Sequence, residues 1–323
     1  MQSKRALICG VSGQDGAYLA ALLLKKGYVV TGTSRDAAAC SFSNLHRLGI
    51  HGEISTVSMV TNDLGSVLKT IRNVNPDEIY YLAGQSSVGL SYEQPVETME
   101  SIAMGTVNLL EAIRFVNRPI RFYNAGTSEC FGDTGDNFAN EEMHFNPRSP
   151  YAVAKTAAHS LVSIYRESYG LYACTGILFN HDSPLRLERF VTQKIVRSAA
   201  RIAFGSNEKL QLGNIDIHRD WGWAPEYVNA MWMMMQQEEA SDFVIATGKT
   251  VSLSYFIKRA FNYFNLDWKE HVISQPSLRR PSDIRIGAAD PSKAKDILGW
   301  EAKINVDGVV DQMCNAAVDL HKF

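Results

Sequence analysis

Over residues 1–179 short apolar runs alternate with amphipathic stretches, the pattern of a sheet whose strands are joined by helices. Ala6 to Cys9 is the first such run and ends in GVSGQDG. Beyond it Ala17, Leu19, Ala20, Leu23 and Leu24 recur at helical spacing up to Gly27. The order is strand, glycine turn, helix. Further strands are expected at Tyr28 to Thr33, Ile54 to Met59, Glu78 to Leu82, Ile120 to Asn124 and Ala173 to Phe179, with helices at Gly65 to Val74 and Met99 to Phe115. Since parallel crossovers are right-handed, this order predicts an α/β fold built on a doubly wound parallel Rossmann sheet, with ligands at the carboxyl ends of the strands.

After Asn180 the alternation fades, and Arg186, Arg189, Lys194, Arg219, Arg279 and Arg280 gather among Pro, Gly and Trp. This marks a smaller, discontinuous C-terminal α/β substrate-binding region over 180–219 and 248–323. Residues 220–247 are expected to rejoin the 1–179 core through a helix at Pro225 to Gln237 and a strand at Phe243 to Thr247. A helix from Asp307 to Leu320 closes the chain.

Composition narrows the function. A chain of 323 residues that is 46% hydrophobic and 20% charged has ample material for a core. Its 32 Lys and Arg against 34 Asp and Glu lack the basic excess of a general nucleic-acid binder, so phosphates must be held locally. The five cysteines, at 9, 40, 130, 174 and 314, form no CxxC pair and no zinc-spaced cluster, so no metal is expected. No apolar stretch reaches the roughly 18 residues of a membrane span, and a cytoplasmic protein is expected.

Gly10, Gly13 and Gly16 form G-x-x-G-x-x-G, with Gln14 and Asp15 inside the same turn. A tight strand-end turn also uses glycines, but this one opens a helix, where a phosphate can approach bare backbone N–H groups. Arg35 follows the second strand, where a guanidinium can pair with a 2′-phosphate, so NADP is favoured; the adjacent Asp36 keeps NAD open. Asn62, Asp63 and Leu64, after the third strand, can cup the adenine. Leu82, Ala83, Gly84 and Gln85, after the fourth, can run along the phosphates. Plain loops would fit those two positions as well.

Tyr151 and Lys155 are four residues apart and share one face of a helix. A neighbouring ammonium would lower the phenol's pKa and make Tyr151 a base toward a sugar hydroxyl. Y-x-x-x-K alone is common. Thr127, Ser128 and Glu129, just after the fifth strand, give it meaning: the hydroxyls can bond a reacting oxygen, and Glu129 is a second acid/base. A simple alcohol dehydrogenase needs no such carboxylate, whereas elimination of water across C5 and C6 does.

These residues, with GVSGQDGAYLAALLLKKGY, AGTSECFGD, NPRSPYAVAK, LFNHDSPLR, RDWGWAPEYVNAMW and DPSKAKDILGW, resemble the extended short-chain dehydrogenase/reductases and, within them, the GDP-mannose 4,6-dehydratase family, nearly end to end. The resemblance implies catalytic roles for Thr127, Glu129, Tyr151 and Lys155, with Ser128 supporting. It also implies a GDP-sugar pocket reached by Ser86, Asn180, Arg186, Lys194, Arg219 and Arg280, with Asp283 on the base. Homodimers or homotetramers are implied too, and the loop after Arg35, with Asn44, His46 and Arg47, is a candidate to reach a neighbour. The chain departs from the family pattern at Asp182, Leu187-Glu188, Trp223 and SLRRPSDIRIG. Other GDP-hexoses or a GDP-manno-heptose therefore stay open beside mannose. So do an epimerase, a reductase and a non-catalytic NADPH sensor.

Overall fold

The structure, a computed structural model, describes residues 3–321. Its strands are β1 Arg5–Cys9, β2 Val29–Ser34, β3 Ser55–Ser58, β4 Glu78–Tyr81, β5 Arg121–Ala125, β6 Ala173–Leu178, β7 Asn180–Asp182, β8 Leu210–Leu212, β9 His218–Trp223, β10 Phe243–Ile245, β11 Thr250–Ser252 and β12 Val272–Ser274. Seven of them form one sheet in the order β10-β6-β5-β4-β1-β2-β3, and every pairing in it is parallel. The expected α/β doubly wound sheet is therefore present. The strand order reverses between β1 and β4, which opens a crevice at their carboxyl ends.

Helices cover both faces. Helix Gln14–Lys25 buries Ala17, Leu19, Ala20 and Leu23 against helix Ala224–Met234, which contributes Tyr227, Met231 and Met234 to the same core. Helix Leu64–Val74 covers the opposite face with Val67, Ile71 and Val74. The helix expected from Met99 begins earlier. Proline at the first turn starts it at Pro95, a π-helical turn spans Glu100–Met104, and it continues through Gly105–Val116. Helix Pro150–Tyr169, which carries Tyr151 and Lys155, is capped by Ser149, whose Oγ accepts from Ala152 N at 3.1 Å. It ends on Gly170 at φ +66°, a left-handed conformation that glycine adopts at no steric cost.

The remaining strands form two small sheets, β11-β9-β7 and β12-β8. Helices Val191–Ala203, Leu253–Tyr263 and Val306–His321 surround them, and Ile195, Trp221, Phe256, Phe261, Val310 and Met313 share one core. The arginine-rich stretch after Asn180 thus sits on a framework of its own beside the crevice. Where the sequence pattern offers only a fading alternation, Asn180 belongs to a strand, paired in parallel with β9 at Trp221.

Candidate active site

At the crevice lie two cavities of about 640 and 430 Å³ that share Asp15, Leu82, Ser86, Arg186, Arg189 and Phe190. The larger follows the glycine turn. Gly10 has φ +87°, and a Cβ there would stand 2.8 Å from Ala83 N; a Cβ on Gly16 would collide with Gly10 O. Both glycines are required by the chain's own packing. Gly13 is different, since a Cβ on it would meet only Gly10 O at 3.4 Å, an ordinary contact. Its bareness serves whatever enters the cavity. Gly13 also begins helix Gln14–Lys25 with no side chain capping the free N–H groups. That uncapped terminus over a bare residue fits a diphosphate.

Arg35 lines this cavity and pairs with Glu97 at 2.7 Å across its mouth. Asp36 points elsewhere, accepting from Ala38 N at 3.0 Å and Ala39 N at 3.2 Å. Leu82 and Ala83 stand in the wall. Asp63, Leu64 and Gln85 do not, contrary to expectation. Asp63 caps its helix by accepting from Gly65 N at 2.9 Å, and Leu64 packs against the core beneath. Asn62, from the same expected stretch, does line the cavity, beside Thr61. The Gln85 amide turns inward to Ser87 O at 2.8 Å and Thr98 Oγ1 at 3.2 Å. The loop after Arg35 is held within its own chain, with Asn44 donating to Ser12 O at 3.1 Å and Arg47 to Pro184 O at 3.0 Å.

Thr127, Ser128, Glu129, Tyr151 and Lys155 line the smaller cavity together with Ser86, Asn180, Arg186, Lys194, Arg219, Arg280 and Asp283. Residues up to 197 positions apart in the chain, Ser86 and Asp283, are thereby brought to one wall. Thr127 opens the 3-10 helix Ser128–Phe131, its Oγ1 accepting from Glu129 N at 3.3 Å, which leaves the half-buried Glu129 at the cavity edge. Asn180 Oδ1 is buried there without a hydrogen-bond partner among the described residues. Arg219 is 5% exposed, and the one hydrogen bond its side chain makes among the described residues is from NH1 to His218 O at 2.8 Å. Burial pushes its guanidinium below the usual range, while Glu129 and Asp283 oppose that shift. Lys194 donates to Gln211 O at 2.7 Å, and Arg186 lies 3.4 Å from Asp182 with its guanidinium over the Phe190 ring.

The Tyr151–Lys155 pair differs from the simple picture of an ammonium lowering a phenol. Lys155 Nζ donates to Ala125 O at 2.7 Å and stands 5.9 Å from the Tyr151 ring centre. Burial raises the Tyr151 pKa, more than a hydrogen bond with Thr127 lowers it. Burial also pulls Lys155 down to about 8. Lys155 is charged below that pH and neutral above it. Activity that depends on its ammonium is expected to fall on the alkaline side with a midpoint near that value, read from the pH profile of kcat/KM.

Between the cavities, His181 Nδ1 faces Phe179 O at 2.7 Å and Nε2 faces Asp15 Oδ2 at 2.9 Å. Both partners are acceptors, so both ring nitrogens donate and the ring is an imidazolium, stacked on Tyr227. Burial disfavours both charges, but their mutual attraction overrides it, raising His181 and holding Asp15 at about 2. With a folded pKa above 6.5, the stability from His181 is fully present below that pH and is lost as pH rises through the folded pKa. In Tm measurements the gap between the wild type and His181→Gln, roughly 3 kcal/mol at its widest, should narrow as pH rises.

The family model described as GDP-mannose 4,6 dehydratase matches residues 7–313. GDP-mannose 4,6 dehydratase 1 of Arabidopsis thaliana is 42% identical over 329 residues, covering 99% of this chain and 91% of that protein. The chain belongs to the GDP-mannose 4,6-dehydratase family. The GDP-mannose 4,6-dehydratase of Yersinia enterocolitica is 40% identical over 346 residues, covering 96% and 92%. Among solved structures, a dTDP-glucose 4,6-dehydratase from Bacillus anthracis in complex with NAD superposes with a TM-score of 0.87 at 17% identity, covering 99% of this chain and 98% of that one. A UDP-glucose 4-epimerase from Thermus thermophilus in complex with NAD gives 0.85 at 22%, covering 97% and 98%. These two likenesses show the fold.

In this member of the GDP-mannose 4,6-dehydratase family the smaller cavity has further walls that the sequence reading does not name, among them Ser87, Gln211 and Asn214. Arg189 is another. It lines both cavities, and its place three residues after Arg186 is the one local signal for it. Glu97, opposite Arg35, is 62 positions away in the chain and has no local signal at all.

Proposed function

We propose that this protein is an NADP-dependent dehydratase that converts GDP-mannose to GDP-4-keto-6-deoxymannose. The observation that carries the reading is the shared cavity wall of Glu129, Tyr151 and Lys155, facing the buried Arg219 in a chain of this family. Gly10, Gly13 and Gly16 would hold the cofactor's diphosphate and Arg35 its 2′-phosphate, while the carboxylate of Asp36, turned away onto backbone N–H groups, would not select NAD. When bound, NADP would supply a hydride acceptor for C4 and return that hydride at C6.

The protein supplies the proton chemistry. In its ionised form, which burial makes the minority state, Tyr151 takes the proton of the C4 hydroxyl, with Thr127 bonding its oxygen and Lys155 Nζ 5.9 Å from its ring centre. Oxidation at C4 makes the C5 proton acidic. Glu129 removes it and gives a proton to the departing C6 hydroxyl, so water leaves; a proton then returns to C5. Arg219, Arg186, Lys194 and Arg280 bind the diphosphate and nucleoside, and Asp283 accepts from guanine N1 and N2. Of the departures from the family pattern, Trp223 and Leu187 lie off the smaller cavity, while Asp182 and, from SLRRPSDIRIG, Leu278, Arg280 and Asp283 line it, so a GDP-manno-heptose is the competing substrate to test. We assign nucleotide-sugar binding to 180–219 and 248–323, and cofactor binding to 1–179 with 220–247; β9 runs across the boundary at 220.

Incubation with GDP-mannose and catalytic NADP tests the reading, with mass spectrometry expected to find a product lighter by one water and no net NADPH. Loss of water from a different GDP-sugar alone would move the substrate, and no loss from any would end the dehydratase reading. Val96, Met99 and Met104 on one helix and Val153 and Ile164 on its neighbour are exposed, which supports a homodimer through these helices, checked by sedimentation velocity. Among the described residues no helix is long and apolar enough to cross a membrane, and four of the five free cysteines are buried, in line with a place in the cytoplasm.

A further inference from the structure

The chain leaves the catalytic 3-10 helix at Gly132, whose φ is +70° and where a Cβ would run into Asn146 O, so the turn after Glu129 is fixed. Two residues on stands Thr134, 3% exposed. Its backbone N donates to Ile286 O at 3.0 Å, its Oγ1 donates to the same carbonyl at 3.2 Å, and Oγ1 accepts from Ala288 N at 3.1 Å. Beside it Asp133 accepts from Arg285 N at 3.1 Å and Gly135 N at 3.0 Å.

The other edge of segment 285–288 is bonded to β9, with His218 N donating to Arg285 O at 2.8 Å and Gly287 N to His218 O at 3.0 Å. The Arg219 side chain lies on this segment, since a Cβ built on Gly287 would stand 3.5 Å from Arg219 Cδ. Arg280 and Asp283 run directly into it through the buried Ile284. A continuous set of hydrogen bonds thus joins the wall that carries Arg219, Arg280 and Asp283 to the loop that carries Glu129. The helix of Tyr151 and Lys155 is placed by the Ser149 cap and the bond to Ala125 O, and it meets the Glu129 loop through the Tyr151–Thr127 hydrogen bond.

We propose that Thr134 is a positioning residue that couples occupancy of the nucleotide wall to the placement of Glu129, so that binding of a guanosine diphosphate group prepares the carboxylate for C5 proton removal. This rests on the reading of Glu129 as acid/base. Binding energy from the non-reacting nucleotide is thereby used at the reacting centre. The hydroxyl is the essential group, because it alone bridges Ile286 O and Ala288 N. Thr134→Val keeps the shape and removes both side-chain bonds, while Thr134→Ser restores them.

With the full chain loaded with NADP, Thr134→Val is expected to lower kcat on GDP-mannose by roughly tenfold to a hundredfold, as small misplacements of reacting groups do. KM and the Kd for GDP should change by less than about threefold. Because oxidation at C4 proceeds while C5 proton removal lags, near-ultraviolet absorbance of reduced nicotinamide should build up during turnover. Thr134→Ser should behave like the wild type. A valine variant with unchanged kcat, or one that loses activity without that build-up, overturns the coupling. Hydrogen exchange separates this inference from the proposed reaction. GDP alone should slow amide exchange over residues 129–134 in the wild type and should no longer do so in Thr134→Val. If GDP leaves those amides unaffected in the wild type the coupling is wrong even where dehydration occurs; if it protects them and no sugar nucleotide is dehydrated, the reaction assignment is what fails.

Discussion

Glu129→Gln is expected to lose dehydration of GDP-mannose by on the order of a thousandfold while still binding NADP and GDP. The amide keeps the size and the Thr127 contact to the backbone N of residue 129, so the 3-10 helix should survive. What disappears is the carboxylate, on the same wall as Tyr151 and Lys155, that is assigned to take the C5 proton and give one to the departing hydroxyl. Since Tyr151 and Lys155 sit on a separate, independently capped helix, oxidation at C4 should continue. The check is a single-turnover experiment in deuterated water. Expected are an accumulating oxidised sugar and no deuterium at C5; rapid water loss in this variant would remove Glu129 from the mechanism.

Arg219→Met should cost roughly a thousandfold in kcat/KM, chiefly through KM, because two charge-assisted hydrogen bonds to phosphate are worth about 4 kcal/mol together. Arg219 is buried at the cavity with a single side-chain hydrogen bond, to a backbone carbonyl, among the described residues, so most of its donor fork is free for a ligand. Methionine retains much of the stem that packs on Gly287 and removes the charge. Calorimetry with GDP checks this directly. Equal GDP affinity in variant and wild type would place the diphosphate elsewhere.

The sequence carries the parts of this molecule that are local. Strand-then-glycine-then-helix patterns identify the sheet and the turn at Gly10, Gly13 and Gly16, because backbone geometry there dictates residue type. Tyr151 and Lys155 share a helix face through helical periodicity alone. Longer-range features are silent in the pattern. Asp63 and Gln85 sit at the right distance after their strands, yet their side chains satisfy neighbouring backbone groups and a helix instead of a ligand. Burial of Tyr151 and Lys155 reverses the expected shift of the phenol, and burial is a property of the whole packing. His181 belongs to a motif quoted for its resemblance, but its pairing with Asp15 crosses 166 positions of chain. The ladder from Thr134 to Ile286 spans 152 and has no composition that marks it.

The central claim is a dehydration in which hydrogen leaves C4 of the sugar and arrives at C6 of the same molecule. GDP-mannose carrying deuterium at C4 tests it in one mass spectrum. The expected product is lighter by one water, with the deuterium retained in the new C6 methyl group. A product of unchanged mass, or one that has lost water while its deuterium has exchanged into solvent or into the cofactor pool, would contradict it.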